Sequence, residues 1–224
     1  MQNYQREFVE FLVRTGALRF GEFTLKSGRV SPYFFNAGEF NKGADVEKLG
    51  YFYACAVQES GAPSSIIFGP AYKGVTLCIA TAIALRQHFD VDAYYCFDRK
   101  EIKEHGEGGW LVGKAPEADD QVVMVDDVIT DGATKVTMIR RIKEATSAAV
   151  TGLIIALDRR EQNAEGGNSI TSLESTTGVA VHAIITIQDI LEHLPNRPID
   201  GKVALDSETH KKIQEYLSEH GIDK

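Results

Sequence analysis

Two adjacent carboxylates, Asp126 and Asp127, directly follow the apolar run Val122-Val123-Met124-Val125 and lead into Val128-Ile129-Thr130-Asp131-Gly132-Ala133-Thr134. Apolar strand, acids, short turn and helix in that order make a definite chemical arrangement. The amides of the turn point outward with the positive end of the helix dipole, which suits a phosphate. The carboxylates beside them can accept hydrogen bonds from hydroxyls or face a magnesium-bound ligand. The plainer reading of the same residues is a strand cap at Asp126-Asp127 and a helix cap at Thr130; on this stretch alone the two stand level. The stretch is not a Walker loop, because no Gly-Lys-Ser/Thr follows a spaced glycine, and it is not G-x-G-x-x-G.

Cationic and aromatic residues elsewhere are the natural complement to such a site. The run Asp98-Arg99-Lys100-Glu101-Ile102-Lys103-Glu104-His105-Gly106-Glu107-Gly108-Gly109 carries four groups able to meet an anion, although its composition also suits a solvated loop. Gly69-Pro70-Ala71-Tyr72-Lys73-Gly74 follows an apolar strand, and its glycines and proline force an irregular turn that can aim amides at an anion. Arg159 and Arg160 follow Leu157-Asp158, and either guanidinium could fork onto a carboxylate. Lys26 lies in the turn Lys26-Ser27-Gly28-Arg29, and Phe34-Phe35 in the extended piece after it. Aromatic pairs in strands are usually core.

Hydrophobic spacing predicts the elements that must position these groups. Apolar residues at helical intervals predict a helix over residues 4–13, then extended pieces over 18–25 and 30–36 joined by a hairpin-like turn. A helix over 45–60 ends at Gly61 and Pro63. From residue 66 onward strands (66–68, 93–97, 122–125, 150–157, 179–187) alternate with helices (75–88, 132–145), and 98–113 is read as a polar, glycine-rich loop. The C-terminal stretch 207–219 is an amphipathic helix. Alternation of this kind implies crossover connections and an α/β fold, a mainly parallel sheet flanked by helices, with a small N-terminal helix-and-hairpin hood. Ligands in such folds bind beyond the C-terminal strand ends.

The whole chain narrows the function classes. Its formal net charge of −8 argues against a general nucleic-acid binder, though it leaves room for a local basic pocket. Cys55, Cys78 and Cys96 lack C-x-x-C spacing and are expected to be reduced, partly buried thiols of a cytoplasmic protein. The N-terminal residues lack the apolar run of a signal peptide. The apolar stretch 75–85 is too short to span a bilayer, so no membrane role is expected.

The segment from Val122 to Thr134 resembles the PRPP-binding motif of the type I phosphoribosyltransferases. The resemblance implies that Asp126 and Asp127 bond the ribose hydroxyls. It implies a PRPP-binding stretch of Asp126, Asp127, Val128, Ile129, Thr130, Asp131, Gly132, Ala133 and Thr134, whose loop cradles the 5′-phosphate. Purine-using members commonly carry a carboxylate where this chain has Thr130; Asp131, one residue later, is a poor substitute. Four further segments resemble the orotate-using members of that family. By that resemblance Lys26 meets phosphate oxygens, Phe34 and Phe35 flank the orotate ring, the Thr130 hydroxyl hydrogen-bonds the pyrimidine, and Tyr72 and Lys73 sit in a pyrophosphate loop that often contains a cis peptide. Arg99, Lys100, Lys103 and His105 belong to a mobile catalytic loop that reaches into the neighbouring subunit of a homodimer. The resemblance implies that Arg159 binds the orotate carboxylate, with Arg160 left as the alternative. Ala133 stands where the family commonly has a hydroxyl residue, and Thr134 offers one next door. The implied activity is transfer of 5-phosphoribosyl from PRPP to N1 of orotate in pyrimidine biosynthesis, with Mg2+ bound through PRPP and no direct protein ligand. Residues 1–224 then form a single domain whose residues 1–40 supply the hood. A PRPP-sensing regulator is the rival of another class, but it would need a basic or partner-binding extension, and the cationic residues of 98–109 favour the enzyme.

Overall fold

The hydrophobic periodicity becomes layers in the computed structural model, which describes residues 1–25, 27–103 and 109–222, with backbone only at 102 and 103. The helix α1 (Asn3–Arg14) buries Phe8, Val9, Phe11 and Leu12, the face its sequence spacing sets apart. The strands β1 (Leu18–Thr24) and β2 (Val30–Phe35) pair antiparallel as the expected hairpin. The helix α2 (Gly43–Ser60) stops at Gly61, whose φ of 65° is the left-handed value that glycine accepts freely.

The main sheet contains β3 (Ile66–Gly69), β4 (Tyr94–Lys103), β5 (Gly109–Gly113), β6 (Gln121–Val128), β7 (Ala149–Asp158) and β8 (Val181–Thr186) in the order β5-β4-β3-β6-β7-β8. All neighbours are parallel except β4 and β5. The crossovers are α3 (Lys73–Phe89), α4 (Ala133–Thr146) and α5 (Ser169–Thr177). After the sheet come α6 (Ile187–His193), the two-residue strands β9 (Pro198–Ile199) and β10 (Lys202–Val203), and α7 (Ser207–His220).

Successive strand residues point to opposite faces, so the sheet divides the core in two. Ile67, Val123, Val125 and Ile154 pack with α1, α2 and α3, while Ile66, Phe68, Met124 and Leu153 pack with α4 and α5. Being covered on both faces is why β6 reads as an unbroken apolar run. The chain proceeds from β3 to β4 on one side and to β6 on the other, opening a crevice at the C-terminal ends of β3 and β6. Among the described residues no helix is long and apolar enough to cross a membrane.

Two expectations change, and the helix α5 was not expected. The run 98–113 is not a loop throughout: β4 continues to Lys103 and returns as β5, with Trp110 and Leu111 packed against the core. The polar alternation of 98–103 is that of a strand near the sheet edge. The extended stretch 179–187 ends at Thr186, which caps α6 with its hydroxyl on the Asp189 amide. The helix α5 is started by Asn168, whose side chain accepts from the amides of Ile170 and Thr171.

Candidate active site

Because β3 and β6 are neighbours, the turns that follow them lie side by side. Tyr72, Lys73, Asp98, Lys100, Asp126, Thr134 and Lys135 line one cleft of about 180 Å³ there. A larger groove of about 440 Å³, lined by Arg14, Glu39, Lys42 and Lys48, contains none of the expected site residues.

The two aspartates lie inside β6 rather than after it, and both are buried. This corrects their expected place at the strand end; the apolar run simply gives way to acids before the strand stops. Each has one oxygen on backbone and one on a lysine. Asp126 accepts from the Asp127 amide at 2.8 Å and faces Lys135 Nζ at 2.7 Å. Asp127 accepts from the Val128 amide at 2.8 Å and faces Lys73 Nζ at 2.7 Å. Burial raises the Asp126 carboxyl above the usual carboxylate range; Lys135 pulls it down and neighbouring Asp127 pushes it up. Beneath the strand, the Tyr53 hydroxyl of α2 donates to the Asp126 carbonyl at 2.7 Å, fixing the backbone that carries the acid.

The turn after β3 closes on itself. A Cβ on Gly69 would overlap the carbonyl of Gly74, and one on Gly74 would collide with Gly69, so both positions exclude side chains. The Asp98 carboxylate of β4, buried, accepts from the Ala71 amide at 2.5 Å. The Ala71–Tyr72 peptide is cis, as the resemblance implies for this loop. Tyr72 is 78% exposed, and Lys100 Nζ stands 5.7 Å from its ring centroid.

In the turn after β6, Gly132 takes φ 78° and α4 begins at Ala133. The Ser169 hydroxyl of α5 donates to the Thr130 carbonyl at 2.6 Å, tying down the turn. Thr130, Asp131, Ala133 and Thr134 are exposed; Val128 and Ile129 are half-buried. The Ala133 amide donates to the Asp131 carboxylate at 3.0 Å. An anion that uses this amide therefore has to replace Asp131 on it.

A second cluster forms where β7 ends against the hairpin. Arg159 donates to Glu161 Oε1 from Nε at 3.0 Å and from Nη2 at 2.7 Å, and to the Ser31 hydroxyl at 3.1 Å. Its guanidinium lies 4.4 Å from the Tyr33 ring centroid. Burial works against the Arg159 charge, but Tyr33, Glu161 and Tyr216 hold its pKa above the usual value. Arg160 has φ 50°, and its guanidinium pairs with Asp158 at 3.9 Å. The chain's last described turn secures this edge: Glu161 bridges Gly221, the Gln162 amide donates to the His220 carbonyl at 2.8 Å, and the Ile222 amide to the Arg160 carbonyl at 3.0 Å.

No protein-family model matches the chain. The orotate phosphoribosyltransferase of Shewanella oneidensis is 46% identical over 224 residues, covering all of both chains. That of Colwellia psychrerythraea is 45% identical over 225 residues, covering 99% of this chain and all of its own. This chain belongs to the orotate phosphoribosyltransferase family. A crystal structure of the Francisella tularensis orotate phosphoribosyltransferase superposes with a TM-score of 0.82 at 33% identity, covering 96% of this chain and all of that one.

Of the residues expected to serve an orotate phosphoribosyltransferase, Tyr72, Lys73, Lys100, Asp126 and Thr134 share the cleft. Arg159 stands in the second cluster. Phe35 is corrected: neighbouring residues of a strand face opposite ways, and its ring lies in the core, 8% exposed. Only the half-buried Phe34 keeps an accessible ring, stacked on Phe23 at 5.4 Å between centroids. Arg99 lies on β4 with its Nε buried and without a hydrogen-bond partner among the described residues. Lys26 and His105 lie outside the described residues, as does the side chain of Lys103.

Sequence reasoning missed Lys135, Asp98, Tyr53, Glu161 and Ser169. A signal existed for Lys135: a lysine in the first turn of a helix opposes the dipole and calls for an anionic partner. Asp98 and Tyr53 had none, since tertiary contact alone brings them to the site. The cysteines are free; burial raises the thiols of Cys78 and Cys96 to about 12, which makes them inert near neutrality.

Proposed function

We propose that this chain transfers the 5-phosphoribosyl group of PRPP to N1 of orotate, releasing pyrophosphate and forming orotidine 5′-monophosphate, a step of pyrimidine biosynthesis. The observation that carries the reading is the paired ion bridges, Asp126 with Lys135 and Asp127 with Lys73, beside two anion-suited turns. N1 of orotate forms a bond to C1 of the ribose as the C1–pyrophosphate bond breaks, with inversion, and the proton on N1 is released to the departing pyrophosphate or to solvent. Positive charge grows on the ring and negative charge on the leaving group. Cations at the leaving group therefore stabilise the transition state more than the ground state. Lys73 and Lys100 are assigned that role, joined by Arg99, Lys103, His105 and Lys26. Asp126 and Asp127 accept hydrogen bonds from the ribose hydroxyls. The turn from Thr130 to Thr134 holds the 5′-phosphate, with Val128 and Ile129 leading into it and Asp131 leaving the Ala133 amide. Arg159 exchanges Glu161 for the orotate carboxylate, beside Phe34 and Thr130.

Magnesium would be held through the oxygens of PRPP, a hard-oxygen ligand set that suits it, and would supply positive charge to the departing pyrophosphate. Residues 1–224 are read as one domain with residues 1–40 as its hood, acting in the cytoplasm as a homodimer with shared sites.

The test is direct. Purified protein is mixed with PRPP, magnesium and one of orotate, uracil or hypoxanthine, and pyrophosphate release is followed. Release with orotate alone is the expected result. Turnover of hypoxanthine or uracil, or none with orotate, overturns the assignment.

A further inference from the structure

The two lysines that meet the acidic pair are alike in placement and unlike in freedom. Lys73 is the first residue of α3 and Lys135 the third of α4; neither helix has an acid in its first turn. A cation there opposes the helix dipole, a local cost that a specific anionic partner must offset. The Lys73 side chain is 56% exposed and can swing away from Asp127. The Lys135 side chain is 15% exposed, its partner Asp126 11%, and their contact is 2.7 Å. The other oxygen of Asp126 is already committed to the Asp127 amide, so Lys135 completes a two-point hold on this carboxylate.

We propose that Lys135 is a positioning residue of the ribose site: it stays on Asp126 when PRPP enters and keeps that carboxylate fixed and charged for a ribose hydroxyl, while Lys73 leaves Asp127 for the pyrophosphate. This rests on the PRPP reading above. The charged groups around Asp126 support the assignment. Asp127 beside it is repulsive, Tyr53 beneath it bonds only its backbone, and Lys73 is engaged with Asp127. Without Lys135, a buried carboxylate next to another would have no counter-charge of its own. It would take up a proton or turn away, and in either case be lost as an oriented acceptor.

The experiment is a double-mutant cycle on Lys135→Met and Asp126→Asn, read by calorimetric titration with PRPP and magnesium and by steady-state kinetics. The single variant Lys135→Met should weaken PRPP binding about tenfold, the size of one charge-assisted hydrogen bond. Its KM for orotate should stay within about twofold of the parent's, since the clusters are separate. In the Asp126→Asn background, Lys135→Met should change PRPP affinity by less than about twofold. Equal weakening in both backgrounds would mean that Lys135 meets the substrate independently, and no weakening in either would mean that it is an incidental ion pair; each overturns the proposal. If Lys135→Met fails to fold, Lys135→Gln takes its place in the same cycle. Failure of the parent protein to bind PRPP would instead overturn the function reading, so the two failures are distinguishable.

Discussion

Arg159 meets the hairpin already holding a carboxylate, Glu161, with Ser31 and the face of Tyr33 completing its surroundings. Binding of a second carboxylate here would therefore exchange partners on a guanidinium that cannot lose its charge. Arg159→Leu should raise KM for orotate at least tenfold, about 1.4 kcal/mol or more, while leaving KM for PRPP nearly unchanged. Arg160, pointed toward Asp158 with its backbone in the left-handed region, should give a nearly silent Leu variant. The reverse pattern in steady-state kinetics would transfer the role to Arg160. At the acidic pair, Asp127→Asn should weaken PRPP binding by about 1.5–3 kcal/mol, the scale of a charge-assisted hydrogen bond, without moving the melting temperature by more than a few degrees. An unchanged PRPP titration curve would remove Asp127 from the site.

Elements decide whether these side chains meet. The helix α3 brings Lys73 to the cleft and is backed by α2 at a contact where Gly50 touches the backbone of Ala80. A Cβ at Gly50 would overlap the carbonyl oxygen of Ala80, and backbone cannot give as a flexible side chain can. Gly50→Ala should cost about 1–3 kcal/mol of stability and shift α3, so denaturant melts and KM for PRPP should worsen together. A melt at the parental midpoint would show the packing to be looser than described. The elements themselves were legible where a single physical signal governed them. The unbroken run in β6 declared a strand covered on both faces, and Gly61 declared the end of α2. They were illegible where signals overlapped. Residues 98–103 carry the charges of a solvated loop, yet the backbone pairs as β4 because β5 returns beside it. The Phe34-Phe35 pair read as one aromatic unit, whereas strand alternation sends Phe35 to the core. For the site, the residues on the two turns were readable as local patterns. Asp98 and Tyr53 were not, because they reach it from separate elements through long-range packing, and Lys135 left only the local signal of a cation in a helix's first turn.

For the whole molecule, the proposed sharing of sites between two copies is open to complementation. Lys103→Ala disables the donor, and Asp127→Asn disables an acceptor site. If the donor acts in the neighbouring subunit, a mixed dimer carries one site with both defects and one with neither. Mixing the two nearly inactive variants in equal amounts should then restore roughly a quarter of parental activity once subunits have exchanged at random. If the donor acts on its own subunit, every site keeps a defect and mixing restores nothing. Exchange confirmed by mass spectrometry with no recovery would rule out shared sites and leave the enzyme assignment in place.

The strand edge that carries Arg159 is clamped by residues made much later, through the bridge of Glu161 to Gly221 and the bond from the Ile222 amide to Arg160. At about 5–20 residues per second, the ribosome makes Arg159 several seconds before Ile222. The turns proposed to hold phosphate can therefore form while the edge that carries Arg159 still lacks its final support. Synthesis order is in this sense an assembly order: the cleft suited to phosphates can form on the ribosome, and the cluster around Arg159 is fastened only after the clamp has cleared the exit tunnel.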